Sequence, residues 1–388
     1  MEEEKKLYPF KFVHIDETPG ETVHIADLGY QDSQVRNGWL AANSISEIMD
    51  MYVDRVVGEH VFEYYGRQFP IMVKTITGET RTPLTVHPDD ETAQQRFDFL
   101  GKAKLWYVKD SREDSVIYLG FKRDVEAEEF YMACRHGDVE SLLNPVKPKA
   151  GDCFFIYPGL VHAACEGVSI IEIAESSPLD FKLFNWGREI AGDEFDASLN
   201  LEEAFDFIDY KKYCRCGHHH CDGEGHECHC HDDHEEGHGC HCHEHDAGEK
   251  PARHLTDCDE FSVSEIRLGD PMHIYSEQLD SFTVYTCVSG SVSLQVRDSE
   301  GQASYDIPEG ETVLVPAEIP DFFLVPTGKD TVLLETVVEK RPETDPYIDP
   351  SAEAGCGCGE DDCDCDDCDD DCDDGCGCGH CHDHEHFS

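Results

Sequence analysis

The chain has 388 residues, 39% of them apolar, which is length for two or three domains and material for real cores. Its 30 basic residues stand against 84 acidic ones, and a net charge of −54 excludes nucleic acid and anionic membrane surfaces as partners. The opening MEEEKK lacks the apolar run of a signal peptide, and no stretch approaches the roughly 18 apolar residues of a spanning helix, so a cytoplasmic protein with reduced cysteines is expected.

Residues 7–213 read as a first unit. Short β-rich runs at Pro70–Ile76, Ala103–Val108, Ser115–Phe121, Asp152–Ile156 and Val168–Ile173 are separated by Gly, Pro and Asp turns. Helical spacing predicts one helix near Ser46–Val57, capped by Ser44 or Ser46, and another over Glu126–His136 followed by Val139–Leu143. A third, Leu201–Tyr213, carries Leu201, Phe205 and Ile208 on one face. Residues 214–253 form a Cys/His-rich linker. Residues 254–341 read as a smaller β unit with strands at Phe282–Val288, Ser291–Val296, Thr312–Val315, Phe322–Val325 and Thr331–Val338. Residues 342–388 are an acidic Cys/His-rich tail. The expected fold is mainly β, with a jelly-roll domain bearing helices, a smaller C-terminal β-barrel or sandwich, and a disordered insert and tail.

Sixteen of the 21 cysteines and 15 of the 23 histidines fall within Cys214–His245 and Cys356–His386. Neither block contains a Leu, Ile, Val, Met or Trp, so neither can bury a core, and both should order only around metal. The closely spaced thiolates are Cys214, Cys216, Cys221, Cys228, Cys230, Cys240 and Cys242, then Cys356, Cys358, Cys363, Cys365, Cys376 and Cys378. Thiolate with imidazole suits several zinc, copper or nickel ions. The remaining Cys134, Cys153, Cys165, Cys258 and Cys287 sit mostly in apolar context and read as small core residues.

In the first unit, Thr85 and His87 lie two apart on one face of a strand, and His162 follows a Pro158-Gly159 turn on another. Two inward histidines on facing strands are half of a metal site.

Five segments occur in order: Phe69–Lys74, Val86-His-Pro-Asp-Asp-Glu91, Lys102-Ala-Lys-Leu-Trp-Tyr107, Pro148–Asp152 with Pro158-Gly-Leu-Val-His162, and Phe181–Arg188. The series resembles the type I (cupin) mannose-6-phosphate isomerases in their bacterial form, and covers about residues 7–213. Residues 254–339 are similar to that family's C-terminal β domain; the Cys/His blocks have no counterpart. The resemblance implies a zinc-dependent isomerase interconverting mannose 6-phosphate and fructose 6-phosphate, with a sugar phosphate and transition-metal ions as partners. The family's zinc ligands fall here on Thr85 (for Gln), His87, Lys104 (for Glu) and His162. It implies Lys74, Lys182 and Arg188 as catalytic residues, and Lys74, Lys104 and Arg188 as substrate-binding ones.

Two of those four positions have changed chemistry. Thr85 is a poor neutral donor, and Lys104 brings a cation where a metal wants an anion. Either Lys104 swings away or loses its proton, or another carboxylate substitutes, or the site holds no metal. Glu172 and Glu175 are the replacement candidates, and only one can point inward. Lys102 reads as a solvated surface lysine. As a group, Lys74, Lys102, Lys104, Lys182 and Arg188 make a cationic well that a phosphate needs inside so acidic a chain. The alternatives to an isomerase are a noncatalytic cupin holding a sugar phosphate and a metal-buffering protein. In the second unit, Pro320 and Asp321 stand where a metal-binding histidine would be needed, and His273 reads as structural.

Overall fold

The computed structural model describes residues 5–16, 18–187, 199–214, 252–258, 260–298 and 301–339. Arg188, the tail and all of the Cys/His blocks except Cys214 lie outside the described residues, as does the disorder expected of the insert and tail.

Period-two alternation builds the first sheet. In Ile71–Ile76, Lys104–Ser111 and Val168–Glu175, the side chains of Ile71, Val73, Leu105, Tyr107, Ile171 and Ile173 enter one apolar core. The residues between them, Ile76, Trp106, Val108 and Ile170, enter another. With both faces covered, these strands read as continuous apolar runs. The sheet has five antiparallel strands in the order Glu21–Ile25, Ile71–Ile76, Val168–Glu175, Lys104–Ser111, Cys153–Ile156. A second five-stranded sheet runs Phe181–Phe184, Leu84–Val86, His162–Ala164, Ile117–Phe121, Leu143–Val146. Its Ile117, Leu119 and Ala164 meet Trp106 and Ile170 in a shared core, giving the expected jelly-roll sandwich.

The C-terminal half is a second sandwich. A six-stranded sheet orders Phe10–Lys11, Thr312–Val315, Thr283–Ser289, Thr331–Val337, Ser262–Leu268 and Ala252–Asp257. It packs on a four-stranded sheet of Met272–Tyr275, Asp321–Pro326, Ser291–Asp298 and Gly301–Pro308 through Tyr285, Val292, Leu294, Phe322 and Leu333. The start of the chain is thus a strand of the second module. One core further joins Val73, Leu105 and Ile171 to Phe282, Val284, Leu314 and Leu334, so the two modules form one compact unit.

Of the two cap options for the first helix, Ser44 is used. Its hydroxyl accepts from the Glu47 amide, and the Glu47 carboxylate accepts from the Ser44 amide, so the helix is Ile45–Val57. Helices Glu59–Tyr65 and Asp90–Phe97 were not expected; the latter is announced by Asp89, which caps the Thr92 amide. The helix expected over Leu201–Tyr213 stops early, at Leu201–Ala204 with a 3-10 turn Phe205–Phe207. Beyond it the backbone is spent elsewhere: Tyr210 carbonyl accepts from Val125 and Tyr213 donates to Phe121. Val139–Leu143 is likewise split into a 3-10 turn Val139–Ser141 and a strand from Leu143. Cys134 and Cys287 are buried as expected, whereas Cys153, Cys165 and Cys258 are partly exposed. Among the described residues no helix is long and apolar enough to cross a membrane.

Candidate functional site

Two cross-strand ladders face one another inside the first sandwich. In the first sheet, Glu172 is opposite Lys74 on one side and Trp106 on the other. In the second, Thr85 is opposite Lys182 on one side and His162 on the other. All six residues line a cavity of about 330 Å³, within the range of small-ligand sites, together with Glu21, Tyr30, Gln31, Lys102, Lys104 and Asp180. The ladders meet where the Trp106 and His162 rings pack edge to face, centroids 5.3 Å apart.

The floor of this cavity is a closed charge network. Lys74 Nζ lies 3.3 Å from Glu172 Oε1 and 3.2 Å from Glu21 Oε2. Lys104 Nζ lies 2.6 Å from Asp180 Oδ1 and 3.9 Å from Glu172 Oε1. Lys102 Nζ donates to Asp180 Oδ2 at 2.5 Å and to the Ser177 carbonyl at 2.7 Å. Trp106 Nε1 donates to Glu172 Oε2 at 2.6 Å. Burial would raise the Glu172 and Asp180 carboxyls, but the lysines around them outweigh it and hold both below the usual carboxylate range. Burial would lower Lys74, and Glu172 and Glu21 outweigh that in turn. For Lys102 burial prevails and its pKa is lowered. Lys102 is therefore no surface lysine: it is 2% exposed and part of the network. Asp180, which sequence reasoning passed over, anchors two of the three ammoniums.

The sequence-predicted residues are brought together with altered partners. His87 and His162 rings lie 5.3 Å apart between centroids. His162 Nδ1 donates to the Leu160 carbonyl at 2.9 Å, which leaves Nε2 to accept from the Thr85 hydroxyl at 3.1 Å. Burial, and after it the Lys104 charge, pushes the His162 imidazole down to about 3 and lowers His87 in the same way. Both ring nitrogens of His87 are buried with no hydrogen-bond partner among the described residues. Glu172 faces the cavity, while Glu175 turns to the other side and accepts from the Ala103 amide. Lys182 is exposed at the cavity edge and has no carboxylate partner among the described residues. In the second module His273 stacks on Phe323 and pairs with Asp321 at 2.7 Å, a surface role consistent with a structural residue.

The donor set does not suit the zinc that the sequence resemblance implies. Among the described residues no three His, Cys, Asp or Glu side chains converge as a metal site. Glu172 is committed to Lys74, Lys104 and Trp106, Thr85 to His162, and Lys104 brings positive charge to both imidazoles. Only the unpartnered His87 nitrogens speak for an ion.

Fold and cavity define the class: a double β-sandwich of cupin type with a lysine-lined cavity. No family model matches the chain. A probable mannose-6-phosphate isomerase of Bacillus subtilis is 29% identical over 192 residues, 49% of this chain and 58% of that one. A second enzyme of that name from the same organism is 27% identical over 205 residues, 52% of this chain and 62% of the relative. The match thus spans less than two thirds of either relative. Among solved structures, the mannose 6-phosphate isomerase of Bacillus subtilis superposes with a TM-score of 0.64 at 21% identity, covering 84% of this chain and 99% of that one. A variant of the phosphomannose isomerase of Salmonella typhimurium gives 0.61 at 13% identity over 86% of this chain and 100% of that one. Over about half its length the chain is thus similar in sequence to mannose-6-phosphate isomerases, and it shares the fold of their solved structures.

Proposed function

We propose that the cavity binds a sugar phosphate, with the phosphate on Lys182 and the sugar oxygens against Thr85 and the network of Lys74, Lys102 and Lys104. The observation that carries this reading is the contrast among the lysines. Three are neutralised by Glu21, Glu172 and Asp180, while Lys182 stands exposed at the cavity edge with no such partner among the described residues. In a chain with a charge of −54, an uncompensated cation at a cavity is an address for an anion. Arg188, six residues on in sequence, is proposed as a second phosphate contact. Calorimetry with mannose 6-phosphate and fructose 6-phosphate, set against mannose and inorganic phosphate, tests the reading. Binding of neither sugar phosphate would end it.

A second reading, that the cavity also isomerises its ligand, is favoured by the family and by the unpartnered His87 beside His162. Proton transfer between neighbouring carbons wants a base whose pKa lies near the working pH. A His162 pushed down to about 3 is poorly matched to that task, and binding is therefore the first reading. A coupled assay for fructose 6-phosphate formation decides between them.

The Cys/His blocks are proposed to hold several zinc, copper or nickel ions, on composition alone. Native mass spectrometry of the metal-loaded chain tests this: no more than one ion per chain would reject it. A cytoplasmic setting suits both reduced thiolates and a phosphosugar. The modules 7–213 and 254–341, with linker 214–253 and tail 342–388, are proposed as the sequence units.

A further inference from the structure

We infer that the cavity carries its own cation, the Lys104 ammonium, and excludes a metal from the place beside His87 and His162. Every carboxylate that could serve an ion here is already committed. A metal site of catalytic type needs three protein donors, at least one of them anionic in a site that also holds positive charge. The carboxylates of this cavity wall are Glu21, Glu172 and Asp180, and each already serves a lysine: Glu21 and Glu172 for Lys74, Asp180 for Lys102 and Lys104. Handing Glu172 or Asp180 to an ion would leave a buried ammonium uncompensated while adding two more positive charges. The two imidazoles that remain are neutral donors only, and one of them already accepts a hydrogen bond from the Thr85 hydroxyl. Lys104 sits on the inward face of its strand, two residue pairs along from Glu172, so alternation cannot turn it out of the cavity. Ligand oxygens therefore meet fixed ammoniums here, and binding needs no ion. The inference concerns the network behind the cavity and stands whichever anion the cavity takes.

The test is ¹¹³Cd NMR on the full chain loaded with cadmium, in which thiolate-bound cadmium of the Cys/His blocks resonates far from cadmium on nitrogen and oxygen donors. The double variant His87→Gln/His162→Gln is expected to leave the cadmium spectrum unchanged. Loss of a nitrogen/oxygen-type resonance in that variant would overturn the inference. The converse double variant, Thr85→Gln/Lys104→Glu, removes the ammonium and supplies two donors, and is expected to gain one such resonance. Its failure to gain one while circular dichroism shows a native fold also counts against Lys104 as the excluding group. Should that variant not fold, the comparison of wild type with His87→Gln/His162→Gln decides alone. Mannose 6-phosphate is not added in this experiment, so its outcome is separate from that of the ligand reading.

Discussion

Trp106 and His162 come from different sheets and meet edge to face, centroids 5.3 Å apart and planes at 77°. Through this contact the Lys74–Glu172–Trp106 ladder of one sheet and the Lys182–Thr85–His162 ladder of the other become one cavity wall. The rings are not interchangeable parts of it, because Trp106 also donates its indole N–H to Glu172.

Trp106→Phe should keep the ring contact but leave a buried carboxylate oxygen without its donor. A hydrogen bond to a charged group contributes about 1.5–3 kcal/mol, and a loss of that size in urea unfolding is expected. Glu172→Leu should cost more, about 3–5 kcal/mol, because it strips Lys74 and Lys104 of a buried counter-charge. A smaller loss for Glu172→Leu than for Trp106→Phe would mean the lysines are not held by it.

Lys182→Ala should separate binding from stability. The side chain is exposed and has no ion-pair partner among the described residues, so the melting temperature should stay within a degree or two. Affinity for mannose 6-phosphate should fall roughly 10–100-fold, the worth of one charge-assisted hydrogen bond. Calorimetry reads the second effect and differential scanning the first.

Acid should unfold the protein earlier than its carboxylates alone would require. Burial, with the charge of a neighbour, pushes His24 down to about 4 and His162 to about 3, and His87 also lies below its ordinary 6.5. A histidine freed by unfolding binds protons below about pH 6.5 while the folded one does not. Its contribution is thus complete above pH 6.5 and is lost as pH falls toward the folded values, by up to about 1.4 kcal/mol per pH unit for each ring. Glu172 and Asp180, held low, add a further loss below about pH 4. Asp27 and Glu335, raised by burial, act in the opposite sense in that same acid range. Thermal melts from pH 8 to 5 should fall progressively below about pH 6.5; a flat profile would refute the neutral imidazoles.

Gly58→Ala should loosen the join between the two modules. Gly58 has φ +92, and a Cβ there would stand 1.9 Å from the Asp280 carbonyl oxygen. Asp280 also accepts from the amides of Glu59 and His60, so it caps the helix Glu59–Tyr65 from the other module. Strain and clash together should cost about 2 kcal/mol or more, with Asp280→Ala losing about 1 kcal/mol as a missing cap. Chemical denaturation of both variants checks the order.

The strands of the two sandwiches were legible because short β-branched, apolar runs such as Val168–Ile173 and Thr312–Val315, bounded by turn residues, are a local signal that survives any tertiary arrangement. Strands with mixed polarity were not. Gly301–Pro308 alternates between exposed and partly buried side chains, and Ser262–Leu268 carries a buried Glu265 that only Arg253, Arg267 and Tyr107 make tolerable. The two histidines, Thr85, Lys74, Lys104 and Lys182 were found from motif order, and all of them reach one cavity except His87, which is buried behind it. Asp180 was not found. Nothing about an aspartate after a Pro-Leu turn announces that two buried lysines will converge on it.

Composition, alternation and motif order determined the β architecture, the likeness to mannose-6-phosphate isomerases and the neighbourhood of the site, since these depend on residue type and spacing along the chain. Where the Lys104 ammonium rests, and whether Lys102 is surface or core, depended on which carboxylate each meets. That pairing joins residues 76 and 78 positions apart, 104 with 180 and 102 with 180, and only the folded sheets bring them within reach. Buried charge is decided by its nearest neighbours in space, and a sequence lists neighbours in only one dimension.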